Sequence, residues 1–249
     1  MNAIRSLRLR RIRCVAPCLL LIIGSCGGGG PDVDIRIAEH DRPDLEPEMA
    51  ASGQRAVPKD AAFNIAKFTS GQEGETARGE SRAIELNGAT CQAEVTGTGS
   101  AWGAFQLGYT FDNMSGRPLN AVVRLKLDVK GGATYETKDR NDLENVPAGS
   151  GTVNFVLKDS LGVLVRQEAL YSAGMGTGAR SASRRHDIVF EARLESGRGY
   201  YMMLLGRADA SSSAGQSVKV DVAATNVSME IEWKAMEQTT QKSAITDTD

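Results

Sequence analysis

The chain has little of what catalysis or covalent stapling draws on. Only two of its 249 residues are histidines, His40 and His186, and only four are cysteines, Cys14, Cys18, Cys26 and Cys91. Three of those cysteines fall within the first 26 residues, so the body holds Cys91 alone. One thiol forms no internal disulfide and no metal site, and stability has to come from burial. Aromatic residues are 5% of the chain, so a broad exposed aromatic platform would leave few rings for a core. The longest apolar run, Val15 to Ile23, falls well short of the roughly 20 residues that a helix needs to cross a bilayer. No Gly-x-Ser-x-Gly elbow is present to hold a serine nucleophile on a strained turn.

What is there begins with five arginines and no acid (Arg5, Arg8, Arg10, Arg11, Arg13), then the short apolar run, then Gly24-Ser25-Cys26. This is the basic, apolar and small-residue order of a secretory signal. Its exit, with Ile23 at the third position before Cys26, resembles the lipobox of bacterial lipoproteins. The resemblance implies diacylglyceryl transfer to the Cys26 thiol, cleavage before it, and membrane attachment through the acyl chains. Each buried methylene contributes about 0.8 kcal/mol, so two or three chains hold stably. Gly27 stands where that family's inner-membrane retention signal has Asp, which in a two-membrane cell implies the outer membrane.

Removing residues 1–25 takes the basic residues from 29 to 24 against 31 acids, a net charge near −7. An acidic exported body is a poor partner for nucleic acid or for anionic headgroups. From Cys26 to Lys59 the chain is rich in Gly, Asp and Glu and carries Pro31, Pro43, Pro47 and Pro58. That composition predicts a lipidated, disordered spacer over 26–59 with a root-mean-square reach of about 30 Å.

Beyond it a period of two dominates. Val123, Leu125, Leu127 and Val129 alternate with Arg124, Lys126, Asp128 and Lys130, the clearest half-buried strand in the chain. The same rhythm runs through Cys91/Ala93/Val95, Phe105/Leu107/Tyr109/Phe111, Val153/Phe155/Leu157, Leu161/Val163/Val165, Ile188/Phe190/Ala192/Leu194, Tyr200/Met202/Leu204, Val218/Val220/Val222 and Val227/Met229/Ile231/Trp233. A short first strand is placed over Ala61–Phe68, and turns at 113–116, Gly131-Gly132, 159–160 and 197–199. With no helical repeat between them, these strands predict an all-β antiparallel sandwich over 60–235, a jelly roll of eight to ten strands, with a frayed tail over 236–249. The segment from Gly199 to Trp233 resembles the end of extracellular bacterial jelly-roll modules, which bears on fold and not on activity.

Candidate chemistry is sparse. His186 beside Asp187 reads as a solvated strand-end histidine. Glu230 and Glu232 share a face, as the carboxylates of jelly-roll glycosidases do, but the third acid of that pattern would fall at Ala235. Asp139, Asn141, Asp142 and Glu144 are oxygen ligands of the kind calcium takes, without the glycine and twelfth-position glutamate of an EF-hand loop. They are the candidates for a structural calcium, and no other cofactor is expected. Trp102 and Tyr201 are candidate stacking surfaces, since adjacent Tyr200 and Tyr201 must point to opposite faces of a strand. Arg180, Arg184 and Arg185 make a basic loop on an acidic protein, read first as a solvated turn, with Arg184 and Arg185 the candidates for a contact with an acidic partner. The expected function is a membrane-anchored, non-enzymatic binding or scaffold module for protein or glycan. The alternatives are a jelly-roll carbohydrate-active enzyme and an accessory subunit of an envelope assembly.

Overall fold

The computed structural model describes residues 52–85, 87–136, 147–174, 181–213 and 216–236. Cys26, Arg180 and the calcium candidates Asp139, Asn141, Asp142 and Glu144 lie outside them. The described residues form eleven strands and no helix. They are β1 (Ser52–Val57), β2 (Ile65–Glu73), β3 (Ala77–Ile84), β4 (Gly88–Thr96), β5 (Gly99–Asn113), β6 (Leu119–Glu136), β7 (Ala148–Asp159), β8 (Leu164–Gly174), β9 (Ser181–Leu194), β10 (Arg198–Ser212) and β11 (Ser217–Ala235).

They build two antiparallel sheets. One has the order β3-β4-β11-β6-β9, with β1 also paired to β11, and the other has β2-β5-β10-β7-β8. Numbered from β4 as the first of eight, the paired orders are 1-8-3-6 and 2-7-4-5. Successive strands alternate between the sheets except at one hairpin, as in a jelly roll, and β2 and β3 extend one edge of each sheet. The alternating apolar residues supply the core. Val123, Leu125, Leu127 and Val129 are buried on β6, facing Phe105, Leu107, Tyr109, Phe155, Leu157, Met202 and Leu204 from the other sheet.

The two edges of the sandwich differ. At the β2/β3 edge the sheets nearly touch. A Cβ on Gly103 would stand 2.2 Å from the carbonyl oxygen of Glu80, and one on Gly79 would stand 2.2 Å from that of Trp102. Ser81 Oγ donates to Thr69 O across the same seam at 2.9 Å. At the β8/β9 edge the inward rows stay partly exposed. Arg166 of β8 caps Phe190 of β9 with its Cζ 5.6 Å from the ring centroid, and Phe190 in turn meets Phe155 at 5.7 Å.

Several expectations are corrected. The sheet begins at Ser52, within the stretch read as a spacer over 26–59, because β1 pairs with the last strand from Ser52↔Lys234 to Val57↔Met229. Gly131-Gly132 is no turn. It continues β6, with Gly131 opposite Val222 and Ala182, and the missing Cβ makes room for the Tyr171 ring 2.5 Å from where it would be. Leu161 and Val163 are not strand residues, since Asp159 folds 159–163 into a turn and β8 starts at Leu164.

Candidate binding face

The outer faces of the two sheets differ in chemistry. On the six-stranded sheet the outward rows are charged and paired in solvent: Arg185 with Asp128 at 3.1 Å, Lys219 with Glu94 at 3.4 Å, and Lys126 with Asp187 at 3.8 Å. Donation from Asn226 first, and then from Arg185, holds the Asp128 carboxyl below its ordinary range. Asn226 can reach it because a bulge between Thr225 and Ser228 puts it at φ 53°. Glu230 and Glu232 belong to this face, where Gln54 Nε2 donates to Glu230. Exposed pairs of this kind contribute little individually.

His186 is on the other side of the same sheet. It follows the inward row of β9 (Ile188, Phe190, Ala192, Leu194), and its Nε2 is buried without a hydrogen-bond partner, so the solvated strand-end reading is overturned. The carboxylates and the imidazole of the enzymatic alternative are therefore not in one groove. Arg184 and Arg185 lie within β9 rather than in a loop, and as neighbours on a strand they point to opposite faces.

The outer face of the five-stranded sheet is drier. Its floor is apolar and covered although it points away from the core: Met203 is fully buried, and Ala104, Val156 and Ile65 nearly so. Gly108, between Ile65 and Met203 in the register, lets the Met203 side chain lie flat, its Cγ 3.0 Å from where a Cβ would stand. Around that floor stand half-exposed polar groups. Trp102 lies across Gly71, where a Cβ would come within 2.5 Å of its Nε1, and Arg207 Cζ is 5.6 Å from its ring centroid. Arg207 Nε donates to Asp209 at 2.8 Å, fixing the guanidinium. Tyr201 stands at the other end of the face with Lys158 Nζ 5.9 Å from its ring, and burial draws the Lys158 ammonium below its ordinary pKa. Beside Tyr201 in the register, Thr110 is gripped by Asn64, which donates to its Oγ1 at 2.9 Å and accepts from its N–H at 2.8 Å.

Trp102 and Tyr201, both expected as stacking residues, thus share one face, while Tyr200 is buried with Phe111 at 5.5 Å. Trp102 pairs with Asp209, eight residues along β10 from Tyr201, a separation of about 26 Å. Arg207, Asp209, Lys158 and Asn64 were not singled out from the sequence. The signal available for the first three was the outward register of their strands.

No group of three or more His, Cys, Asp or Glu able to hold a metal occurs among the described residues. Cys91 is buried, and desolvation pushes its thiol up to about 12. Two results are expected. Thiol reagents at pH 8 should leave Cys91 unmodified until the protein is unfolded. The stability that the neutral thiol contributes is whole below about pH 9 and is lost as pH rises from there towards 12, because the unfolded thiol ionises first. Stoichiometric native labelling of Cys91 at pH 8 would contradict this burial.

No family model and no curated protein matches the chain. Among solved structures, an arabinose-bound GH51 α-L-arabinofuranosidase is similar at 14% identity over 76% of this chain and 25% of its own, with a TM-score of 0.20. A structure of infectious bursal disease virus, Gx strain, is similar at 8% identity over 70% of this chain and 41% of its own, with a TM-score of 0.22. The chain spans less than half the length of either, and likeness this slight carries no functional argument.

Proposed function

We propose that this chain is an exported, lipid-anchored, non-enzymatic binding protein whose five-stranded sheet takes an extended glycan on its outer face. The observation that carries the reading is the contrast between the two outer faces. One is a solvated ladder of ion pairs. The other presents two aromatic rings, an oriented Arg207–Asp209 pair and side-chain amides and hydroxyls around a buried apolar floor. Sugars offer apolar C–H faces for rings and hydroxyls for amide, carboxylate and guanidinium groups, and recognition surfaces combine such parts. The length of the face between Trp102 and Tyr201 suits an oligosaccharide better than a single sugar.

The test is a screen of the mature chain against cell-envelope glycans, followed by titration of any that bind. Trp102→Ala and Tyr201→Ala should each weaken binding by about tenfold, the effect of losing roughly 1.4 kcal/mol of contact, and Glu232→Ala on the opposite sheet should change nothing. Binding that survives both aromatic substitutions, or a screen with no binder, would remove the face from consideration.

A further inference from the structure

Several turns of the sandwich meet at one end. Gly197 N–H donates to Asn113 O at 2.7 Å, Ser160 N–H to Gly199 O at 2.8 Å, and Met236 N–H to Pro118 O at 3.3 Å. These bonds tie the β5–β6, β7–β8 and β9–β10 turns to the end of β11. Three of the six exposed large apolar side chains among the described residues cluster on the β7–β8 turn and the start of β8. Leu161 is 72% exposed, Val163 55% and Leu164 53%, and Met114, 55% exposed, is on the neighbouring β5–β6 turn. The β7–β8 turn cannot fold these residues back. Asp159 accepts from the N–H groups of Leu161 at 3.0 Å and Val163 at 2.8 Å, and Gly162 is held at φ 83°.

We propose that this end of the sandwich rests on a lipid bilayer, with Leu161, Val163 and Leu164 entering the boundary between headgroups and acyl chains. The orientation follows from where the chain arrives. Ser52, the first described residue, pairs with Lys234 at this same end, and Cys26 stands 26 residues before it. For the direction of the tether the inference rests on the anchor at Cys26 proposed above. The 26 residues between them reach no further than about 90 Å even at full extension, so a chain tethered at Cys26 keeps this end of the sandwich close to the surface at high effective concentration. A few apolar side chains then suffice to hold a face against a bilayer. A second copy or a protein partner would need a patch of about 800 Å² per side, far more than one turn and a methionine offer. The turn carboxylates do not oppose the contact: Asp159 is taken up by Arg198 and Glu195 by Arg193 at 2.8 Å, while Arg117 is exposed on the turn beside Met114.

The test uses the mature chain coupled through Cys26 to maleimide-bearing lipid in vesicles that also contain a photoactivatable diazirine lipid. The buried Cys91 does not compete for the maleimide. Lipid adducts should concentrate in the peptide spanning 159–166, and the double substitution Leu161→Asp/Val163→Asp should lower them at least about tenfold. Both sites are exposed, and an unchanged thermal midpoint would show that the fold is kept. Adducts spread evenly over the chain, confined to the 74–76 turn at the opposite end, or replaced by chain-to-chain crosslinks would overturn the proposal. The mass of the amino-terminal peptide isolated from cells reports acylation separately. An unmodified Cys26 there would remove the proposed anchor while leaving the rim contact to be judged on the coupled chain.

Discussion

Gly103→Ala is expected to cost about 3 kcal/mol of folding stability, at the upper end of what overpacking usually does. The new Cβ would stand 2.2 Å from the carbonyl oxygen of Glu80 and 2.9 Å from that of Gln92. Both atoms are backbone, held in strands paired to one another, so no rotamer change can make room. The sheets would have to part at the β2/β3 edge by about 1 Å, and the close packing beside it would loosen with them. For a chain of this size the midpoint of thermal unfolding should fall by about 6–12 °C. Gly116→Ala is the control. Its φ is +74° but nothing lies within 4 Å of the added methyl, so it reports conformational strain alone, about 1 kcal/mol. If urea unfolding finds Gly103→Ala no worse than Gly116→Ala, the touching edge is wrong. Gly79→Ala should match Gly103→Ala in size, and the double variant should lose less than the sum, since one separation of the sheets relieves both clashes.

The period of two found most of the side chains that are inside, although it also enrolled Leu161 and Val163, which the β7–β8 turn leaves exposed. Alternation around Val123 and Leu125 put the apolar row in the core and Arg124 and Lys126 in solvent, and it correctly placed Glu230 and Glu232 opposite the apolar row of β11. Carried back from Ile188 it would also have turned His186 inward and separated Arg184 from Arg185, a step the local charge obscured. Pairing order was not legible, because alternation says which face is buried and not which strand lies alongside. Ser52–Val57 escaped notice for a related reason: in Ser-Gly-Gln-Arg-Ala-Val only Val57 is buried, and the strand is held by its partner, β11, rather than by its own pattern. Gly131 misleads in the other direction. It sits within a strand where the Tyr171 ring occupies the missing Cβ position, as the Phe105 ring does over Gly206, and only the fold brings those rings there. The candidate binding face was legible in its two rings, but its floor was not, since an outward methionine with no exposure is a property of the surrounding strands.

Removing the Asp159 side chain should be costly at the end of the sandwich that carries the β7–β8 turn. Asp159 is 2% exposed, accepts from the N–H groups of Leu161 and Val163, and holds the Arg198 guanidinium. Asp159→Ala leaves two turn amides without their acceptor and a cation without its partner, a loss of about 3 kcal/mol. The Arg198 share is the smaller one, because its side chain is 36% exposed and water can replace the carboxylate. Asp159→Asn separates the contributions. Its carbonyl oxygen can still take both N–H groups, while its amide faces Arg198 without charge, so it should lose only about 1 kcal/mol. Urea unfolding of both variants, with amide exchange at Leu161 and Val163, reads the difference. Exchange should accelerate in Asp159→Ala and stay near the parent rate in Asp159→Asn. Equal losses in the two variants would mean that the charge on Arg198, and not the pair of turn amides, is what Asp159 serves. The rigid display of Leu161 and Val163 to a bilayer would then lack its support.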